Sequence, residues 1–135
     1  MAQVAGKVVG VESVPEAIDA AKENAEANEI HNAFFEVGDM RHAFSEELWD
    51  RYGKPDVLVT DPPRDGMHPK VVERLLSLDI PRIVYVSCNS ASQARALALL
   101  SETYDVKIVQ SVDMFPQTHH VENIALLVRK NHHAE

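Results

Sequence analysis

The sequence has few of the features that mark membrane, disulfide-linked or cysteine-rich metal proteins. Among its 135 residues there is one cysteine, Cys88, which excludes an internal disulfide and any metal site built from several cysteines. No apolar run approaches the roughly 20 residues that a membrane span needs, and the N-terminus has no signal-peptide core. We therefore expect a soluble, cytoplasmic protein.

Positive charge is also scarce. Thirteen Lys and Arg residues face 21 Asp and Glu residues, which gives a formal net charge of −8. A domain that grips RNA by itself should show a basic surface. Either the chain binds no nucleic acid, or the phosphate-binding surface belongs to a part of the protein outside this sequence.

The length and a hydrophobic content of 45% suit one globular domain with its own core. Apolar β-rich runs alternate with amphipathic stretches, a pattern typical of an α/β domain with a mostly parallel sheet. Strands are predicted at 7–12, 33–37, 56–60, 82–87, 105–112 and 123–129. Helices are predicted at 15–28, 40–52, 69–78 and 90–104.

Ligands of such sheets bind at the carboxyl ends of the strands, and the unusual residues of this chain lie there. Glu12 closes the first predicted strand and could accept hydrogen bonds from ribose hydroxyls, but the glycine-rich loop that usually accompanies such an acid is absent; a solvated acid at a sheet edge is the alternative. Asp39 follows the second strand, where its carboxylate could accept from an adenine amine or cap the next helix.

The segment Asp61-Pro62-Pro63-Arg64 follows the third predicted strand. Two prolines fix a rigid, extended turn without backbone donors, which could present Asp61 to a planar polar group. A simple strand stop would also explain the prolines. Arg64 could pair with a carboxylate that holds the loop, or contact phosphate.

Cys88 lies at a predicted strand-to-helix junction, where Asn89 or Ser90 is the natural cap. Unpaired N–H groups at a helix N-terminus favour the thiolate, the reactive form of cysteine. The position therefore favours a reactive thiol over a buried spectator.

The connection 113–122 contains a proline and an aromatic residue and ends at Glu122, where the chain re-enters the sheet. A carboxylate partly removed from water makes a usable general base. His119, His120 and Glu122 also raise the alternative of a metal site. Adjacent histidines on an extended segment point to opposite sides, so we predict none.

Four stretches together resemble the RNA uridine-5-methyltransferase family, whose members methylate uridine C5 in transfer and ribosomal RNA. In chain order they read VVGVESVPEAIDAAKENA, DVLVTDPPRDGMHPKVVERL, RIVYVSCNSASQARAL and DMFPQTHHVENIALLVR. They cover nearly the whole chain, and the DPPR, SCN and DMFP…HVE segments are specific in combination.

The resemblance implies a Rossmann-like, S-adenosylmethionine-dependent methyltransferase fold, with residues 1–135 forming a partial catalytic domain. It implies that Cys88 is the nucleophile and Glu122 the general base. Asp61, with Pro62 and Arg64, would belong to the substrate pocket, and Asp61 is also a candidate cofactor contact. Glu12 and Asp39 would face the ribose and adenine of the cofactor, and the partner would be transfer or ribosomal RNA.

Two departures from the family pattern carry further expectations. The family's first strand and its glycine-rich turn do not occur in this sequence, and neither does its N-terminal RNA-binding β-barrel. We therefore expect the chain alone to bind cofactor poorly and not to methylate RNA. The absent strand would lie between the strands that end at Glu12 and Asp61, so we expect those strands to close up or a neighbouring chain to fill the gap.

Two rival hypotheses remain. An amino-group methyltransferase commonly has an aromatic residue after Asp-Pro-Pro, where Arg64 stands here, and needs no thiol. A non-catalytic, Rossmann-like interaction module would hold Cys88 as an inert thiol.

Overall fold

The computed structural model describes residues 1–113 and 121–131, which contain six strands and five helices. The strands are β1 (Val8–Glu12), β2 (Ala33–Val37), β3 (Val57–Thr60), β4 (Arg82–Ser87), β5 (Tyr104–Val112) and β6 (Glu122–Arg129). The helices are α1 (Pro15–Ala27), α2 (Met40–Ala43), α3 (Glu46–Tyr52), α4 (Pro69–Ser77) and α5 (Ser90–Leu100). The chain divides into two compact units, unit 1 (residues 1–53) and unit 2 (residues 54–135).

Unit 1 is built on a two-stranded parallel sheet. β1 pairs with β2 in a register that runs from Val8 opposite Ala33 to Glu12 opposite Val37. Helix α1 connects the two strands and begins at Pro15, a residue whose missing N–H costs nothing in a first helical turn. Its Ile18 is only 3% exposed.

The predicted helix 40–52 is wrong in one respect, because it is two helices. α2 ends at Ala43, and α3 begins after Ser45, whose side chain accepts a hydrogen bond from the Leu48 N–H. A serine at this position satisfies an otherwise unpaired donor and starts a new helix. Phe44 and Leu48, predicted for the apolar stripe, are both buried.

Unit 2 contains a four-stranded mixed sheet in the order β3-β4-β6-β5. β3 and β4 are parallel, whereas β6 is antiparallel to both β4 and β5. The α/β class is confirmed, and the final two strands supply the antiparallel part. Among the described residues, the core of unit 2 contains eight residues with no exposed surface: Leu75, Ile80, Ile83, Tyr85, Leu100, Tyr104, Ala125 and Leu127.

Several predicted boundaries in unit 2 also differ from those observed. The helix predicted to reach residue 104 ends at Leu100, and Tyr104 starts β5 instead. Burial decides this, because the Tyr104 ring is fully buried and its hydroxyl donates to the Ile80 carbonyl at 2.8 Å. Glu122 is the first residue of β6, one position earlier than predicted.

The expected direct closure between the strands ending at Glu12 and Asp61 does not occur. Among the described residues β1 pairs only with β2 and β3 only with β4, so the two strands belong to separate sheets. That a neighbouring chain pairs with the outer edges of the two sheets stays a prediction.

Within residues 1–113 and 121–131, every helix falls short of the length and apolar character that a membrane span requires.

Candidate active site

The register of unit 2 brings Cys88 and Glu122 to the same end of neighbouring strands. β4 and β6 pair from Arg82 opposite Val128 to Ser87 opposite Asn123. Cys88 and Glu122 occupy the next position on each chain. Continued antiparallel pairing would set them opposite one another on one face, with Cα atoms about 5 Å apart. Cys88 lies in the bend after β4, so the two residues flank the point where the ladder ends.

Neither residue is hidden in the core. Cys88 is a free thiol of intermediate burial, and Glu122 is half-buried as well. A sulfur sealed among aliphatic side chains would have contradicted an enzymatic role. The observed burial leaves both groups partly reachable from solvent.

The DPPR segment opens at this same end of the sheet. β3 runs parallel to β4 and its last pair sets Thr60 opposite Tyr85, so Asp61 leaves the sheet beside the end of β4. Asp61 is exposed, whereas Pro62 is buried and anchors the turn. Arg64 is exposed and, within the described residues, makes no ion pair; its carbonyl oxygen accepts a hydrogen bond from Ser92 Oγ at 3.1 Å.

The bend that carries Cys88 is held by the residues on either side of it. Asn89 Oδ1 accepts from the N–H groups of Ala91 and Ser92, which confirms the predicted cap of α5. Ser87 Oγ accepts from the Asn89 N–H at 3.0 Å and donates to the Asn89 carbonyl at 2.8 Å. Cys88 is therefore presented by a fixed turn.

Sequence reasoning missed the two buried polar residues of α5, Ser92 and Gln93. They are 4% and 3% exposed. The Gln93 side-chain amide donates to the carbonyls of Tyr85 and Asn123, at 3.0 and 3.1 Å. The signal was available: polar residues on the buried side of an alanine- and leucine-rich helix must find partners.

In unit 1, the two predicted cofactor contacts are exposed carboxylates at strand ends. Glu12 Oε1 accepts from the Val14 N–H and from Ser13 Oγ, both at 3.1 Å. The hydrogen bond from the Val14 backbone, more than that from Ser13, lowers the pKa of Glu12. The ionised carboxylate can only accept, which suits hydroxyl donors.

Asp39 caps α2, which is one of the two roles predicted for it. Its Oδ1 accepts from the N–H groups of Arg41 and His42, and its Oδ2 pairs with the Arg41 guanidinium at 2.8 Å. The side-chain hydrogen bond from Arg41 is the main reason why the pKa of Asp39 is lowered. Contact with adenine stays a prediction for this residue.

The described residues contain no cluster of three His, Cys, Asp or Glu side chains that could hold a metal ion. The loop histidines His119 and His120 lie outside the described residues, as does the DMFP…H segment from Met114 onward.

Comparison with known proteins agrees with the resemblance read from the sequence. Residues 1–130 match the family model described as tRNA (Uracil-5-)-methyltransferase. An uncharacterised RNA methyltransferase of Bacteroides thetaiotaomicron is 58% identical over 123 residues, and one of Porphyromonas gingivalis is 51% identical over 127 residues. These matches cover 91% and 93% of this chain and 27% of each relative.

Solved structures give the same result. The Pyrococcus abyssi tRNA (uracil-54, C5)-methyltransferase, solved with S-adenosyl-L-homocysteine, superposes with a TM-score of 0.74 at 37% identity, over 90% of this chain and 29% of that one. The N-methyltransferase NodS of Bradyrhizobium japonicum, at 12% identity and a TM-score of 0.66, shares the fold alone. The chain thus spans a little over a quarter of the length of its relatives, and it belongs to the tRNA (Uracil-5-)-methyltransferase family.

Proposed function

We propose that this chain carries the catalytic residues for methyl transfer from S-adenosylmethionine to C5 of a uridine in transfer or ribosomal RNA, through a covalent bond between Cys88 and uracil C6. One observation carries the proposal. The β4–β6 ladder ends at Ser87 opposite Asn123, so the only thiol, Cys88, and a half-buried carboxylate, Glu122, each lie one residue beyond its last pair. Membership of the family and the DPPR turn at the same end of the sheet support it.

The chemistry requires these two residue types. Uracil C5 is too weak a nucleophile to attack a methyl group directly, so the Cys88 thiolate first adds to C6. The C5–C6 π electrons move onto C5 and the C4 oxygen as an enolate, and C5 can then accept the methyl group. Glu122 next removes the proton from C5, the double bond reforms, and the C6–S bond breaks to release the Cys88 thiolate. The target base must leave its stack to reach these groups.

The residues present fit the proposed cofactor in part. The exposed, ionised carboxylates of Glu12 and Asp39 suit the ribose hydroxyls and the adenine amine. Glu12 accepts two hydrogen bonds, both at Oε1, out of about four acceptor positions, and so keeps capacity for ribose hydroxyls. Asp39 already accepts four, from the Arg41 and His42 N–H groups and from the Arg41 guanidinium, so an adenine amine would have to displace one of them. The bound cofactor would supply an electrophilic sulfonium methyl group.

We also propose that the chain alone does not methylate RNA. It matches only 27% of the length of its relatives and has a net charge of −8, which opposes binding to phosphate. Turnover by this chain alone on a uridine-containing RNA would contradict this part of the proposal.

The test uses a chimera in which this chain replaces the matching segment of the Bacteroides thetaiotaomicron relative. Unmodified transcripts of transfer and ribosomal RNA are incubated with the chimera and S-adenosylmethionine, then digested to nucleosides for mass spectrometry. We expect 5-methyluridine from the chimera and none from its Cys88→Ala variant. We expect the Cys88→Ala change to leave the fold intact, since Cys88 is only half-buried, and thermal unfolding would check this.

Two outcomes oppose the proposal. Undiminished methylation by Cys88→Ala, or a methyl group on an exocyclic amine, would support an amino-group methyltransferase. A folded chimera that methylates none of the transcripts, while the unaltered relative does, would support a non-catalytic module.

A further inference from the structure

Helix α5 places two adjacent buried polar side chains beneath the candidate active site. Gln93 donates both amide protons, one to the Tyr85 carbonyl of β4 and one to the Asn123 carbonyl of β6. Both partners are pure acceptors, so only the NH₂ end of the amide can face them. A buried amide engaged at both protons acts as a rigid bridge between the two strands.

The position of this bridge matters more than its strength. Ser87 opposite Asn123 is the last pair of the β4–β6 ladder, and beyond it β4 turns into α5. Cys88 and Glu122 therefore lie one residue past the last β4–β6 pair, although Glu122 still pairs with Val112 of β5. Gln93 joins Tyr85, three residues before Cys88, to Asn123, the neighbour of Glu122. It is placed to set the separation between the thiol and the carboxylate.

Ser92 extends the same support to the DPPR turn. Its hydroxyl lies 3.1 Å from the Arg64 carbonyl and 3.1 Å from the Asn89 carbonyl, and its one proton is shared between them. Gly66 leaves room for this approach, because a Cβ at Gly66 would lie 3.1 Å from Ser92 Cβ, closer than side chains usually pack. Gly66 also has a φ of +82°, a conformation that favours glycine.

We propose that Gln93 and Ser92 are positioning residues, which hold the Cys88 bend, the start of β6 at Glu122 and the DPPR turn as one constellation. The inference rests on the proposed function, because it assigns these residues a role in that reaction. Neither side chain is proposed to touch the substrate. Gln93 sets the thiol–carboxylate geometry, and Ser92 sets the DPPR turn against the bend.

The experiment compares Gln93→Met with Gln110→Met in the chimera. Methionine keeps the length of glutamine but donates no proton, and Gln110 is an exposed glutamine of β5 that hydrogen-bonds only locally, to the Ser111 carbonyl. We expect Gln93→Met to lower kcat about ten- to a hundredfold, the effect of a displacement near 1 Å, with KM for RNA changed less than about twofold. Gln110→Met should match the unaltered chimera.

A second readout separates positioning from mere stability. If the carboxylate is displaced from the adduct, proton removal from C5 slows, and the methylated RNA stays bonded to Cys88 for longer. We expect Gln93→Met to raise the fraction of protein that migrates with RNA on a denaturing gel. Gln93→Asn, one methylene shorter, keeps an amide that can reach one carbonyl and should give an intermediate effect.

For Ser92, the comparison is Ser92→Ala with Ser101→Ala, since Ser101 is exposed and its hydroxyl donates to the nearby Ala98 carbonyl of α5. We expect Ser92→Ala to raise KM for RNA several-fold while Ser101→Ala leaves it unchanged.

The outcomes distinguish this inference from the proposed function. If Cys88→Ala abolishes methylation but Gln93→Met and Gln93→Asn leave kcat and the adduct fraction unchanged, the positioning role is wrong and the proposed function stands. If Cys88→Ala retains activity, the proposed function itself fails. A Gln93→Met variant that loses activity only in proportion to its loss of folded protein, with Gln93→Asn unaffected, would also overturn the positioning role.

Discussion

The two units hold their candidate functional residues by different physical means. In unit 1, Glu12 and Asp39 are exposed, and their partners are backbone and side-chain groups within three residues along the chain. In unit 2, the Cys88 bend and the start of β6 are tied together by a buried side chain whose hydrogen bonds span 8 and 30 residues. Local hydrogen bonds therefore hold the carboxylates of unit 1, whereas a packed core holds the Cys88 bend and the start of β6 in unit 2.

The same contrast runs through the rest of each unit. In unit 1, Glu36 pairs with Arg51, accepts from the Tyr52 hydroxyl at 3.0 Å, and lies 3.7 Å from His42. Unit 2 is instead stabilised by fully buried apolar side chains and by the hydrogen bond of the Tyr104 hydroxyl. Ion pairs weaken when salt screens them or when a carboxylate is protonated, whereas apolar burial involves no titrating group, so the two units should respond differently to acid.

The largest expected effect comes from Glu122→Gln in the chimera. Glutamine keeps the shape but cannot remove a proton, so we expect turnover to fall by roughly 10²- to 10⁴-fold. RNA containing ordinary uridine should then accumulate as a covalent adduct. Glu102→Gln, an exposed acid of the same unit, is the control. Normal turnover by the Glu122→Gln variant would show that Glu122 is not the base, and that the buried Gln93 bridge does not serve to position it.

The next effect concerns the core of unit 2. Leu75 has no exposed surface, so Leu75→Ala should lower the free energy of unfolding by about 2–5 kcal/mol. Leu99 is 48% exposed, and Leu99→Ala should cost less than about 0.5 kcal/mol. Circular dichroism during urea unfolding measures both. Equal losses for the two variants would contradict a packed core in this unit.

A smaller effect is expected for the buried hydroxyl of unit 2. Tyr104→Phe leaves the Ile80 carbonyl without its partner in a buried place, at a cost of about 1–3 kcal/mol. Tyr52→Phe removes a half-buried hydroxyl in unit 1, whose partner Glu36 is also served by Arg51. We expect the free energy of unfolding to fall less for Tyr52→Phe than for Tyr104→Phe, as measured by urea unfolding. The reverse order would contradict the view that buried groups matter more in unit 2 than in unit 1.

The smallest effects are those of pH, and their signs differ between the units. Hydrogen bonds and ion pairs lower the pKa values of Glu12, Glu36 and Asp39 below their ordinary values of 4.5, 4.5 and 3.8. The contribution of these ionised carboxylates to folding stability is therefore complete above their ordinary pKa values. It is lost as the pH falls through their lowered pKa values in the folded state. In unit 2, burial raises the pKa values of Tyr85 and Tyr104 above 10.0, so that contribution is present below pH 10.0 and is lost at higher pH.

Trp49 offers a way to see the acid effect separately. It is the only tryptophan of the chain, lies in α3 of unit 1, and donates to the Ala43 carbonyl at 3.1 Å. Between pH 7 and pH 3 we expect its fluorescence to change before the circular dichroism of the whole chain does. Asp39→Asn, which keeps a capping oxygen but loses the charge, should reduce the difference. Coincident transitions would contradict the separate responses.

Much of this fold could be predicted because the sequence states it locally. Pro15 and Pro69 mark helix starts, and Asp61-Pro62 marks a strand end, since proline restricts the backbone wherever it occurs. Short apolar runs rich in β-branched residues located most of the strands. The break at Ser45 escaped notice although a serine followed by two acids, Glu46 and Glu47, is a typical helix start.

Other features depend on partners far along the chain. The end of α5 was placed too late because Tyr104 extends the apolar pattern of the helix, while its burial belongs to the sheet. Gln93 looked like an ordinary helix residue, since its importance lies in carbonyls at positions 85 and 123. The candidate nucleophile and base could be named from resemblance, but their shared position at the end of β4 and β6 follows only from the register.

The most direct test of the central claim uses RNA in which the target uridines are replaced by 5-fluorouridine. In 5-fluorouridine, C5 carries fluorine where uridine carries hydrogen, so after methylation there is no proton for the base to remove. The C6–S bond of the methylated adduct then cannot break by the proposed mechanism. With the chimera and S-adenosylmethionine, we predict a stable protein–RNA species on a denaturing gel, with peptide mass spectrometry placing the bond on Cys88. A chimera that methylates uridine yet forms no such species, or forms it through another residue, would contradict the account.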